Sequence, residues 1–413
     1  MNLPMTDRLY YRDSFLCDFD AEVREVTESP RPALILDRTA FYPTSGGQIF
    51  DTGTIAADTE QLKVTEVADT EDGRIIHYLE APAKDVHPGT KIHGQIDPTR
   101  RRDHMQQHSG QHVLSAAFIR LHNLHTVSFH MADDYCSIDL DTPNLTLKQV
   151  ESAERLANDI ILENHAVDIS FVTRDEAATL GLRKIPATDR DELRIIDIRD
   201  VDLSACGGTH VNHTGQIGCI LLRKFEKVRQ GYRVEFVCGQ RAVSTARRDY
   251  STLTESAGLY SAGLYDVPQS IRKSLDEIRT LRKQREQSLE ELAEAQAASL
   301  LAETAESNGR KLIVRTFADR DMSSLKLLAQ KLTRLSPNAI ALLASTSPQS
   351  ALVFAQSPGQ PFDMGSLLKQ AMQKLNGRGG GSKDFAQGGA PSDSTSADAL
   401  AAALDDVSRN VSM

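Results

Sequence analysis

Short apolar runs broken by turn residues open the chain. Ala33-Leu34-Ile35-Leu36 and Ile75-Ile76-His77-Tyr78-Leu79 have strand length and lie between turn-forming segments. Residues 1–95 are therefore expected to form a β-rich, barrel-like domain. Within it, Pro43-Thr44-Ser45-Gly46-Gly47-Gln48 reads as a turn or loop, because paired glycines permit backbone angles that other residues avoid. The pattern changes after Asp97. Met105, His108, His112, Leu114, Phe118 and Ile119 recur as on a helix with one mixed polar face. A second helix is expected over 148–164 and a short third over 175–180, closed by Gly181. Strand-like runs follow at 193–198, 218–222 and 234–237. Residues 96–245 thus read as a mixed α+β domain.

Residues 246–310 read as a helical linker, with one long charged helix over 268–308. Leu275, Ile278, Leu289 and Leu292 have heptad-compatible spacing, while Arg282 and Arg285 fill the seam positions between them. Two readings stand: a seam that pairs two chains into a homodimer, weakened by its arginines, or a solvated helix packing on its own domain. Residues 311–413 begin again as α/β. Strands are expected at 311–317, 339–343 and 351–354, helices at 322–335 and 364–375, and an Ala-rich helix at the end. Gly377 and Gly379-Gly380-Gly381, then Gly388-Gly389, interrupt this part, and low complexity is otherwise confined to 392–396.

The net charge of -10 over 413 residues does not suggest a nucleic-acid partner. The basic residues are nevertheless clustered, at Arg100-Arg101-Arg102, at 223–233, at 241–248 and at 272–285, as a local binding face requires. Aromatic residues make up 5% and Trp is absent, which argues against a single-strand stacking platform. Five widely spaced cysteines form no disulfide framework. The N-terminus has no signal-peptide core, and no window approaches the ~18 apolar residues of a membrane span. These features fit a protein of the reducing cytoplasm, away from membranes.

Two motifs carry chemistry. His108-Ser109-Gly110-Gln111-His112 places two imidazoles one helical turn apart, on one face. Ser109 stands where the zincin motif requires a glutamate base, so a metalloprotease is excluded. Cys206-Gly207-Gly208-Thr209-His210 adds a thiolate and a third imidazole, with two glycines that let the chain wrap closely. His108, His112, Cys206 and His210 together are a zinc donor set for one ion, and the soft thiolate disfavours magnesium and calcium. Four protein ligands usually close a site, whereas a catalytic zinc keeps one position open. Either one ligand, His210 above all, is displaced, or the ion expands its coordination.

These residues also carry a resemblance. Asp37 through Gln48 resembles the TxFYxxxGGQ stretch, Arg101 through His112 the RRxxHMQQHTGQH helix, and Cys206 through Val211 the CGGTHV motif of the long free-standing alanyl-tRNA editing proteins. That family is similar to the editing and C-terminal regions of alanyl-tRNA synthetase. Arg233 through Gly239 resembles the strand that closes the editing domain. The glycines Gly379, Gly380, Gly381, Gly388 and Gly389 resemble the signature of the C-terminal DHHA1-like domain shared with DHH-type phosphoesterases. Ser109 replaces the usual threonine but keeps the hydroxyl, and Ser45 opens the glycine turn. The resemblance spans essentially the whole chain. It implies hydrolysis of tRNA(Ala) mischarged with serine or glycine, and no synthesis of aminoacyl-tRNA, since no aminoacylation domain precedes the editing region. It implies Thr39 as the contact to the serine hydroxyl, with Gln48, Ser128 and His130 lining the pocket and the five glycines touching tRNA. His104 and His125 read as surface histidines. The rival reading is a catalytically inactive tRNA-binding and dimerisation protein whose zinc is structural; a general metal-dependent esterase is a third.

Overall fold

The computed structural model describes residues 5–57, 60–183, 192–347, 350–391 and 397–412. The low-complexity run at 392–396 lies outside them. The chain divides into two compact units, the first ending at Glu255 and the second starting at Ser256.

The first unit opens with a closed antiparallel barrel. Its strands run Asp18–Thr27, Ala33–Leu36, Ile75–Leu79, Glu60–Asp69, Gly53–Ala57 and Lys91–Ile96 around the ring. The inward side chains Val23, Leu34, Leu36, Ile55, Val64, Val67 and Ile75 fill it, as alternation along each strand demands. Closure leaves no strand edge among these six.

Helix α1 (Pro98–His122) follows. Asp97 caps it by accepting from Thr99 N and Arg100 N, Pro98 begins it, and left-handed Asn123 ends it. The expected single polar face is not what forms. Burial runs almost without a break from His104 to Phe118, because barrel, sheet and loops surround the helix. Its polar side chains are satisfied inside: Gln107 donates to the Cys238 carbonyl and accepts from Cys238 N, and Gln106 donates to the Gln216 carbonyl. His104, expected at the surface, is 1% exposed; His125 is exposed. Arg101, counted above in a basic surface cluster, is fully buried. Its guanidinium pairs with Asp51 at 2.5 Å and donates to the Ala40 and Ser14 carbonyls, which ties α1 to the barrel.

Helices α2 (Leu147–Glu163) and α3 (Arg174–Thr179) each begin at a threonine capping box, at Thr146 and Thr173. A four-stranded sheet in the order Ile220–Val228, Gly231–Cys238, Cys136–Leu140, Thr126–Met131 packs on α1 and α2 around Leu114, Phe118, Ile138, Val150 and Phe236. A second sheet joins Val167–Thr173, Glu192–Ile198 and Asp202–Ala205. Helix α4 spans Gly239–Leu259.

In the second unit, helix α5 covers Val267–Glu303. Its C-terminal end packs through Ala297 and Leu301 against α6 (Met322–Leu335). The sheet runs Lys311–Phe317, Ala339–Ser345, Ser350–Gln356, Phe385–Ala390, Arg378–Gly381, with only the first pair parallel. Helices α7 (Met364–Lys374) and α8 (Ala397–Ser412) cover the face opposite α6. The glycine segment is strand, not loop. A Cβ on Gly379 would stand 2.7 Å from Gly388 Cα, and one on Gly388 would stand 2.7 Å from Met372 Sδ. Glycine lets this hairpin lie flat on α7, and a Cβ on Gly380 would meet nothing within 4 Å.

Candidate metal centre

Helix α1 delivers His108 and His112 one turn apart. The loop after the strand Asp202–Ala205 delivers Cys206 and His210. One ligand atom from each of the four lies within 4.8 Å of all the others. Cys206 Sγ stands 3.3 Å from His108 Nε2 and 3.4 Å from His210 Nε2. A tetrahedral zinc site with bonds of about 2.0–2.3 Å places its donors roughly 3.3–3.8 Å apart. The two sulfur–imidazole distances fall in that range, and the four donors are grouped closely enough that they could hold one ion.

The outer hydrogen bonds fit it as well. His108 Nδ1–H donates to Gln48 Oε1 at 2.7 Å, His112 Nδ1–H to Asp202 Oδ2 at 2.8 Å, and His210 Nδ1–H to Ser109 Oγ at 3.2 Å. With each Nδ1 occupied, each Nε2 keeps its lone pair free. Gly208 N–H points at the Cys206 sulfur at 3.4 Å. A side chain on Gly208 would overlap the His108 ring, so the loop closes only with glycine there. Beneath the loop, buried Arg194 donates to the carbonyls of Cys206, Gly208 and Tyr11.

Electrostatics favour a cation at the centre. Burial pushes the Cys206 thiol up, but the facing imidazoles, His108 foremost, outweigh it and hold it well below its ordinary value. Burial lowers His210 to about 3, so it is neutral. Burial also opposes charge on His112, yet Asp202 and the Cys206 sulfur outweigh it and raise it to about 9.

The expected pocket residues are not brought together. Gln48 is fully buried behind His108. Its Oε1 accepts from His108 and from Thr209 N, and its Nε2 donates to Thr209 Oγ1. It therefore holds the His108 ring and the Thr209 backbone in place. Phe129 rests on the His108 ring at 5.3 Å between centroids. Ser128 and His130 flank Phe129 on the strand Thr126–Met131 and so face the other way, both exposed, with Ser128 donating to Asp139. Strand alternation thus turns both away from the cluster. Thr39 is fully buried; its hydroxyl donates to His77 Nε2 at 2.8 Å and accepts from Phe41 N. Among the described residues, no hydrogen bond joins it to the four ligands. Asp202, Phe129 and Arg194 were missed. Asp202 had one sequence signal, an acid at a strand start four residues before Cys206; the other two had none.

Three families match in chain order. Residues 4–100 match "tRNA synthetases class II (A)", residues 193–234 the "Threonyl and Alanyl tRNA synthetase second additional domain", and residues 309–412 the "DHHA1 domain". Fold and site thus define a protein built from the editing and C-terminal parts of an alanyl-tRNA synthetase. The "Alanyl-tRNA editing protein AlaX-L" of Pyrococcus horikoshii is 31% identical over 387 residues, which covers 93% of this chain and 94% of that protein. The chain belongs to this family of free-standing alanyl-tRNA editing proteins. The alanine–tRNA ligases of Pyrococcus furiosus and Thermococcus kodakarensis are 32% and 31% identical over 395 residues, 94% of this chain but only 42% of each ligase. No helix among the described residues is long and apolar enough to cross a membrane.

Proposed function

We propose that the protein is a zinc-dependent trans-editing hydrolase that releases chiefly serine, and secondarily glycine, from mischarged tRNA(Ala). The observation that supports this reading is the convergence of three Nε2 atoms and one thiolate in a member of the editing family. Zinc bound there would supply Lewis acidity, polarising the ester carbonyl or lowering the pKa of a water. The chain's own part is positional. Gln48 and Asp202 hold the ligand rings, and Phe129 covers one face of His108.

Thr39 is the proposed reader of the serine hydroxyl, on the resemblance of the 37–48 stretch. Since its own proton goes to His77, it would act toward substrate as an acceptor. In the second unit, Gly379, Gly380, Gly381, Gly388 and Gly389 are the proposed tRNA contacts. Arg378 and Lys383 beside them are exposed, and the strand Arg378–Gly381 is a sheet edge. The expected cellular site is the cytoplasm.

One observation favours the rival, a structural zinc in a binding protein: four protein donors are the number that closes a structural zinc site. The deciding experiment is release of amino acid from seryl-, glycyl- and alanyl-tRNA(Ala), with and without chelator. The hydrolase releases serine and glycine, spares alanine, and stops when zinc is stripped. Intact seryl-tRNA in the presence of zinc-loaded protein leaves the structural reading standing.

A further inference from the structure

The three imidazoles of the metal centre are not backed alike. Gln48, a neutral amide, receives His108, and the hydroxyl of Ser109 receives His210. His112 alone among them is received by a carboxylate. Asp202 and His112 meet at 2.8 Å with side chains 5% and 4% exposed. Asp202 is itself held on other sides. Its Oδ2 also accepts from Ser204 Oγ at 2.6 Å, and its Oδ1 faces Arg183 Nε at 3.4 Å. Two groups from separate positions, Ser204 and Arg183, therefore fix one buried carboxylate against one imidazole.

We propose that Asp202 is a positioning residue that aims His112 at the metal and makes it the most strongly donating of the three nitrogen ligands. The proposal rests on reading the cluster as a metal centre. An imidazole that gives its outer proton to a carboxylate becomes a better donor through the other nitrogen, and in a buried site the effect is little screened. A neutral amide or hydroxyl does less. The consequence is an uneven site. His112 anchors the ion, while His210, held by the longest of the three outer bonds, is the ligand that yields when the ion takes a substrate atom.

The test is metal release from full-length zinc-loaded protein into excess chromogenic chelator. Asp202→Asn keeps the shape and removes the charge. Zinc loss is expected to quicken by about 10-fold or more, the usual effect of removing such an outer partner. The cobalt-loaded form should show a shifted visible absorption band. Ser204→Ala, which removes one of the groups fixing the carboxylate, should quicken loss by a smaller factor in the same direction. The metal-free melting temperature separates this from a role in the sheet. If Asp202→Asn melts lower but loses zinc at the wild-type rate, the proposal is overturned. If Asp202→Asn does not fold, Ser204→Ala decides, and an unchanged rate there overturns it too. Wild-type protein that takes up no zinc overturns the metal-centre reading itself, and this proposal with it.

Discussion

His77 and Thr39 show how much a buried pair inside the barrel decides. His77 Nδ1–H donates to the Leu34 carbonyl at 3.2 Å, which leaves Nε2 to accept the Thr39 hydroxyl. Burial depresses His77 from 6.5 to about 4, so the folded chain holds it neutral. Between those values the unfolded chain binds the proton and the folded chain does not. Stability is therefore complete above pH 6.5 and falls as pH drops toward 4, by about 3 kcal/mol from this group. His77→Gln should flatten the fall in denaturant midpoint between pH 7 and 4.5; parallel curves for the two proteins would refute the assignment. Thr39→Val tests the substrate end of the same pair. Release from seryl-tRNA is expected to drop ~10-fold or more, with the metal retained. Equal rates would remove Thr39 from the proposed pocket.

At the scale of elements, α1 and α5 are opposites. The first is buried nearly all round and spends its polar residues on the site. The second leaves Leu275, Ile278, Leu289 and Leu292 exposed at 50%, 45%, 37% and 52%. Ile271, at 38%, extends the same four-three spacing by one position. Along that seam the described residues provide no cover, and the apolar positions are what a second copy of the chain would bury. Arg282 and Arg285 weaken the middle. We expect a concentration-dependent homodimer by sedimentation equilibrium. Leu275→Glu with Leu289→Glu should make it monomeric, and Arg282→Leu with Arg285→Leu should tighten it. A monomer at all concentrations for the wild type would assign α5 to its own unit alone.

At the scale of the whole molecule, the metal centre lies entirely in the first unit, and the glycine hairpin in the second. A chain ending after residue 259, which completes α4, should keep its rate at saturating tRNA. It should bind tRNA more weakly and with a shallower salt dependence, because fewer phosphates are neutralised. Binding as tight as that of the full chain at moderate salt would overturn the proposed role of the second unit.

The sequence by itself singled out the four members of the His/Cys cluster, since helical spacing and a glycine-lined CxxxH loop are local signals that survive without coordinates. It also determined most helices of both units, because their apolar periods are long, but only the strands with strong apolar runs, such as Ala33–Leu36 and Ala339–Ser345; most of the barrel strands carried no such signal. Only the tertiary structure decided what stands behind each ligand. Gln48 and Asp202 lie 60 and 90 residues from the histidines they hold, and no local pattern encodes a contact at that separation. The same is true of Arg101, whose place in a basic run says surface until Asp51 is seen opposite it. The glycine run is the converse case. Flexibility is a property of glycine alone, whereas the flat hairpin arises from what packs against it.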